Sequence, residues 1–363
     1  MENNKLKENV RFLAIGAAGA NVAQMMEKKN YKTYYVNLAQ QDLDLVNSPN
    51  KLHIKNGEGA SKNRDKAKEV LSESIDEVLE TLDNQITEKY VFTIFSLGGG
   101  TGSGCGPFLS SVIAENPEKK VGLVIILPSM EESLQTRINA YEALSEIIPL
   151  KNNFGSIFIL DNNKRKDRLS INRSFSGLFD SFINIGDVPS SIHGVIDIAE
   201  QKTLLETSGV AMIHKVAQNE QGNLLATIND GIYATIETNK KIKYIGLSQP
   251  EAKEDKGTIE INSVIDVVGQ PIDTYMGYGN TETVLYLCGM SFPKKYINSL
   301  AESIKSEQEN AEKSMEDDDI SMDNLNFLAN RKSTVVEKEP EKKMTARERL
   351  LASRNNGKKI THI

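Results

Sequence analysis

The sequence predicts an α/β fold: a Rossmann-like parallel sheet, a long central helix, a smaller α+β C-terminal domain and a flexible charged tail. Three observations predict it. Short β-rich apolar runs alternate with helical stretches from residue 10 to residue 160, the pattern of a parallel sheet covered by helices. A glycine-rich segment, Ser96-Leu97-Gly98-Gly99-Gly100-Thr101-Gly102-Ser103-Gly104, directly follows one of those runs. The chain has 363 residues, more than one ordinary domain of ~100–200 residues.

Five apolar runs, at 10–15, 34–38, 90–97, 121–127 and 156–160, read as the strands of the sheet. Between the second and third, residues 65–82 carry Ala67, Val70, Leu71, Ile75, Val78, Leu79 and Leu82 at steps of three and four, which reads as one amphipathic helix. Residues 1–170 thus form the first domain. Ile171, Phe175, Leu178, Phe179, Phe182 and Ile185 continue at helical spacing over 171–186, the central connecting helix, and Gly186 and Pro189 end it. A second domain over 187–295 takes strands at 210–216, 231–238, 258–268 and 283–290. Residues 296–315 read as a C-terminal helix, and 316–363 as a tail too polar to bury a core of its own.

A net charge of −7 excludes a protein that coats nucleic acid with its whole surface. Positive charge is local. The last 23 residues hold Lys342, Lys343, Arg347, Arg349, Arg354, Lys358 and Lys359 against Glu341 and Glu348. Within this basic tip, Thr345-Ala346-Arg347-Glu348 has capping-box spacing, so the two readings are a short helix formed on contact with a partner and a merely solvated tail. Two cysteines, Cys105 and Cys288, exclude a disulfide framework, and His53, His193, His214 and His362 show no metal-ligand spacing with them. No apolar run approaches the ~20 residues that cross a bilayer, and the N-terminus is polar. The expectation is a cytoplasmic protein with no membrane partner.

Five glycines in the seven positions 98–104 need a physical reason, since each costs the folded state up to ~1 kcal/mol. Backbone N–H groups freed of side chains can close around phosphate oxygens, and the N-terminus of a following helix adds positive potential. Thr101 and Ser103 add hydroxyls. A second glycine loop, Gly16-Ala17-Ala18-Gly19-Ala20-Asn21, follows the first strand but lacks G-x-G-x-x-G spacing. No Walker A sequence occurs, and Asn163-Lys164-Arg165-Lys166-Asp167 sets its Asp one residue too late for N-K-x-D, so the ordinary switch GTPases are excluded.

The segment 98–104 resembles the GGGTG[ST]G signature of the tubulin/FtsZ superfamily, and further loops resemble that family in order along the chain. Gly16, Ala17, Ala18 and Asn21 are similar to its first nucleotide loop, and 36–43 to its second, without the usual Thr-Asp after Asn37. Gly57-Glu58-Gly59-Ala60-Ser61-Lys62-Asn63, with Gly59, Ala60 and Ser61 as its candidate contacts, resembles the third loop, which meets the γ-phosphate. Glu132 and Arg137, after Pro128, resemble the ribose loop with one residue inserted before the Arg. Asn162 resembles the Asn that reads guanine, and Asn172 the second Asn facing the base; an Asn N-cap is the plain reading of Asn172. Asp197 and Glu200 resemble the acid pair that completes a neighbouring subunit's site, with Val195 where the family carries Asn.

The resemblance implies a GTPase with GTP/GDP and Mg²⁺ as ligands, activated by head-to-tail polymerisation of the chain with itself. It implies Asp197 and Glu200 as catalytic residues. Gly98, Gly99, Gly100, Thr101, Gly102 and Ser103 would join the other loops in holding nucleotide. The basic tip is similar to that of the TubZ branch, which partitions plasmid and phage DNA through a DNA-bound adaptor called TubR. An FtsZ-like division GTPase shares the nucleotide chemistry and differs in partners. A passive, non-hydrolysing filament and a dinucleotide-binding oxidoreductase are the further alternatives.

Overall fold

The computed structural model describes residues 5–187, 193–217, 222–235, 237, 241–251 and 258–316. The chain runs α1 (Lys5–Glu8), β1 (Val10–Ile15), α2 (Gly16–Glu27), β2 (Lys32–Asn37), α3 (Gln40–Asp44), β3 (Lys51–His53), α4 (Arg64–Glu73), α5 (Ile75–Gln85), β4 (Tyr90–Ser96), α6 (Thr101–Glu115), β5 (Lys120–Leu127), α7 (Leu134–Ile147) and β6 (Ser156–Asp161). It continues through α8 (Arg168–Ile183), α9 (Ile198–Glu206), β7 (Gly209–Lys215), α10 (Leu224–Asn229), β8 (Tyr244–Gln249), α11 (Ile261–Val268), β9 (Asp273–Tyr278), β10 (Val284–Met290) and α12 (Lys294–Glu316). The fold class is the α/β one expected.

The strands β1, β4, β5 and β6 are near-continuous apolar segments because helices cover both faces of a parallel sheet. Ten strands form one sheet in the order β3-β2-β1-β4-β5-β6-β7-β10-β8-β9. From β3 to β7 every pairing is parallel. β10 runs antiparallel between β7 and β8. The sheet therefore continues without a break from the glycine-loop half into the C-terminal half, through Ser156↔Gly209 and its neighbours.

The central helix α8 packs its phenylalanines against the middle of this sheet. The Phe179 ring lies 5.1 Å from both Phe12 and Phe92 and 6.0 Å from Phe158, each edge-on, the geometry aromatic quadrupoles favour. Lys7 Nζ and the Tyr31 hydroxyl both donate to Asp180 Oδ1, at 2.8 and 3.1 Å, which pins the helix beside β1. The helix starts at Arg168 rather than 171, because the Asp167 carboxylate accepts from Leu169 N at 2.9 Å and caps it. Asn172 therefore sits one turn inside the helix and is not its cap.

Three other expectations change. Residues 65–82 are two helices, α4 and α5, because Ser74 takes a non-helical N-cap backbone and Asp76 and Glu77 fill the first turn of α5. Residues 258–268 give helix α11 instead of a strand. Ile261, Val264, Ile265 and Val268 recur at helical steps, and that period overrides their β-branched preference. Residues 231–238 make only an isolated bridge, Leu160↔Tyr233. The strands expected at 210–216 and 283–290 form as β7 and β10, whereas the two that were not expected, β8 and β9, carry glycine and polar residues that masked them. The basic tip falls outside the described residues.

His214 on β7 is buried against the Tyr233 ring, 5.6 Å away, and its Nε2 has no hydrogen-bond partner. Burial holds its pKa down at about 4. The unfolded chain, titrating near 6.5, binds more protons than the folded one between those values, so stability falls as pH drops from 6.5 towards 4. Denaturant unfolding of wild type and His214→Leu at pH 7 and pH 4 is expected to show the wild type losing about 3 kcal/mol more than the variant. Parallel pH profiles would contradict the assignment.

Candidate functional site: a glycine-walled cleft at the strand ends

The C-terminal ends of β1 and β4 run into glycine loops that open α2 and α6, and β5 leads into α7. A cleft of about 360 Å³ lies there, lined from the predicted set by Gly16, Ala17, Ala18, Gly59, Ala60, Ser61, Gly98, Gly99, Gly100, Thr101, Gly102 and Glu132. Ligands in open α/β sheets bind outside the carboxyl ends of the strands. Three loops meet here backbone to backbone. Gly16 has φ +78°, and a Cβ on it would stand 3.1 Å from Gly102 N. A Cβ on Gly102 would lie 2.8 Å from Ser96 O, and one on Gly100 would lie 2.5 Å from Ala60 Cβ. Gly99 differs: a Cβ there would meet nothing within 4 Å. Packing thus requires glycine at 100 and 102, whereas at 99 the missing side chain leaves the cleft open.

Two asparagine side chains, Asn139, which no sequence motif marks, and Asn37 of the second loop, hold the loops in place. Asn139 on α7 is fully buried, and its Nδ2 donates to Lys62 O at 2.7 Å and Gly98 O at 3.1 Å. The third loop and the glycine loop are therefore tied through one amide. Asn37 fixes the second loop: its Oδ1 accepts from Ala39 N at 3.2 Å and its Nδ2 donates to Asp42 at 3.0 Å. Asp42, Lys62 and Thr136 also line the cleft. Lys62 was visible in the third loop's sequence, but nothing about its type alone gave it a role.

The remaining predicted residues lie elsewhere. The Ser103 hydroxyl is buried and donates back to Gly99 O and Gly100 O, so it braces α6 instead of facing the cleft. Arg137, 8 % exposed, pairs with Glu307 of α12. Asn21 is exposed on α2, and Asn162 is half-buried after β6. Its neighbour Asn163 shapes that loop, with Nδ2 donating to Asp161 at 2.7 Å and Oδ1 accepting from Met130 N at 2.9 Å. Asn172 is 9 % exposed and has no side-chain hydrogen-bond partner among the described residues.

Asp197 and Glu200 stand together but apart from the cleft. They form a reciprocal cap on α9: Asp197 Oδ1 accepts from Glu200 N at 2.8 Å, and Glu200 Oε2 accepts from Asp197 N at 3.0 Å. Partial burial raises the Glu200 pKa, and the nearby negative charges of Asp197 and Asp273 add to the rise. Val195 and Ile198 flank the pair at 40 % and 43 % exposure. Among the described residues no three His, Cys, Asp or Glu side chains gather as a metal site, and no helix is long and apolar enough to cross a membrane.

Residues 9–169 match the Tubulin/FtsZ family, GTPase domain. With the sheet and the three-loop cleft, this match identifies residues 9–169 as a GTPase domain of the tubulin/FtsZ type. Within that type the likeness is to TubZ. The chain is 27% identical over 313 residues to the tubulin-like protein TubZ of Clostridium botulinum C phage, covering 83% of this chain and 84% of that one. The structure of tail-truncated TubZ from C. botulinum phage c-st superposes with TM-score 0.75 at 26% identity, over 84% of this chain and 99% of that one. A GTPγS-form protofilament of Bacillus thuringiensis serovar israelensis TubZ shares the fold, with TM-score 0.70 at 18% identity, over 87% and 96% of the two chains.

The two kinds of glycine are separable by substitution. Gly99→Ala is expected to leave denaturant stability within about 0.5 kcal/mol while weakening binding of a fluorescent guanine nucleotide. Gly102→Ala is expected to cost about 1–3 kcal/mol by overpacking. Equal destabilisation by both would contradict the distinction.

Proposed function

We propose that the chain binds GTP in this cleft and cleaves it to GDP and phosphate when a second copy stacks head-to-tail on it, forming a dynamic filament. The observation that carries this reading is the separation of two half-sites on one chain. The cleft offers phosphate-binding backbone, but its two carboxylates are engaged: Asp42 by Asn37, and Glu132 by Ser129 N and Arg168 at 3.0 Å each. Asp197 and Glu200, tied to each other's backbone N–H groups in the α9 cap, sit at another surface beside exposed apolar side chains. Such a surface suits burial against a second protein face. An interface between unlike faces need not close on itself, and its repetition gives a filament.

Phosphoryl transfer to water is catalysed mainly by positioning and charge stabilisation. The glycine-loop N–H groups and the α6 N-terminus would take the phosphate oxygens. Gly16, Ala17, Ala18 and Asn21 would close the first-loop side. Asn162 and Asn172 would face guanine, whose edge matches the paired donor and acceptor of an amide. Glu132 and Arg137 would face the ribose, Arg137 by leaving Glu307. Glu200, more basic than an ordinary carboxylate, would orient the attacking water with help from Asp197. Mg²⁺ fits this donor set, because it binds through phosphates, waters and one or two protein oxygens. The Thr101 hydroxyl in the cleft lining would hold it, and it would supply charge neutralisation for the phosphates.

The basic tip, from Lys342 to Lys359, would engage a TubR-like adaptor on centromere DNA, so that the filament segregates plasmid or phage DNA. Its local positive charge on an acidic chain and the likeness to TubZ support this partner.

Glu200→Gln keeps a side-chain oxygen for the α9 cap and removes the charge. It is expected to bind GTP as wild type does, lower phosphate release at least about 100-fold and leave filaments that persist in sedimentation. Phosphate release at the wild-type rate would overturn the acid's role.

A further inference from the structure

A second cavity, of about 600 Å³, opens between α8, the end of β7 and α10, and shares no lining residue with the glycine-walled cleft. On α8 its wall includes Gly177, in the interior of a helix that runs Arg168–Ile183. Glycine weakens a helix interior relative to alanine. Packing does not ask for it here, because a Cβ on Gly177 would meet nothing within 4 Å. The missing side chain leaves the cavity open. Gly231, also on the wall, is required for a different reason: a Cβ there would stand 3.0 Å from His214 Cε1 and press on the imidazole.

His214 lines the cavity from β7 and is 4 % exposed. Its Nε2, next to the Cε1 that faces Gly231, has no hydrogen-bond partner, and buried polar atoms rarely go unbonded. With its pKa held down at about 4, the ring is neutral at pH 7 and offers one N–H and one lone pair. Two exposed residues, Arg165 and Asp230, bring one charge of each sign to the mouth. Arg165 donates to Lys164 O at 2.9 Å and Asp230 O at 2.7 Å, and a guanidinium has further N–H groups to give. The Asp230 carboxylate has no partner among the described residues. Lys215, the other lining cation, is paired with Glu282 at 2.6 Å.

A ligand with net charge therefore gains little from this mouth. A neutral group that presents a donor beside an acceptor gains from both charges, its N–H bonding to the carboxylate and its carbonyl to the guanidinium. Leu178, Ala226 and Ile232 add apolar wall for the body of such a molecule, and the volume is that of a small-molecule site. We propose that this cavity binds an uncharged, flat heteroaromatic molecule of two or three rings whose edge carries a cyclic amide. The amide edge meets Asp230 and Arg165, and a ring heteroatom meets His214 Nε2. The assignment does not rest on the nucleotide reading of the cleft.

The test uses lumichrome, a fluorescent three-ring compound with such an edge, and 1,3-dimethyllumichrome, in which methyl groups replace the N–H donors of that edge. Each is titrated, in excess GDP, into full-length wild type, Gly177→Leu and Asp230→Ala, and circular dichroism checks the fold of each variant. The wild type is expected to bind lumichrome at a single site and the dimethyl compound at least about tenfold more weakly, the scale of one charge-assisted hydrogen bond. Gly177→Leu adds bulk where a Cβ meets nothing, and is expected to weaken lumichrome binding at least about tenfold. Asp230→Ala is expected to bring lumichrome to the level of the dimethyl compound. Equal binding of the two compounds by the wild type, undiminished lumichrome binding by Gly177→Leu, or no lumichrome binding by the wild type would overturn the proposal.

Discussion

Everything at the cleft depends on three loops meeting without side chains between them. Gly16 lies against Gly102, and Gly100 against Ala60 and Lys62, so backbone approaches backbone at two successive points of one glycine loop. The cost is several glycines, whose conformational freedom is lost on folding. The parallel sheet offsets that cost by presenting β1 and β4 side by side in register, from Val10↔Tyr90 to Ile15↔Phe95, so their loops emerge as neighbours. The phenylalanines of α8 hold β1, β4 and β6 as one layer and keep that register rigid.

A second consequence is a division of labour along the molecule. The cleft concentrates donors: loop amides, the α6 N-terminus and the Lys62 ammonium. Its carboxylates are already engaged in fixing loops. The acids proposed to handle a water are instead held at the start of α9, where Asp197 and Glu200 cap the helix and partial burial, with the charges of Asp197 and Asp273 adding to it, raises the Glu200 pKa. An arrangement of this kind separates binding from cleavage. Under the proposed function, binding would need one chain and cleavage a neighbour, which would give a filament a means of ageing from its nucleotide state.

Much of the fold was legible because parallel-sheet strands are continuous apolar runs, and β1, β4, β5 and β6 were read within a residue or two of their bounds. The C-terminal half was harder. There, β8 (YIGLSQ) and β9 (DTYMGY) lack a clean apolar run, while α11 is built from β-branched residues that look strand-like until their spacing is weighed. At the site, the glycine loops announced themselves by composition. Local sequence does not show direction, so the inward turn of the Ser103 hydroxyl and the pairing of Arg137 with Glu307, 170 residues away, were invisible. Asn139 was missed for a related reason: an Asn in mid-helix carries no motif, and only the tertiary structure reveals the two carbonyls it joins.

The central claim is that one copy holds the nucleotide and a second copy supplies the acids that complete the site. GTP turnover per molecule, measured against protein concentration with light scattering in parallel, tests it most directly. Turnover that falls towards zero below the concentration at which scattering appears is the predicted result. Turnover per molecule that stays constant through that dilution would contradict the account.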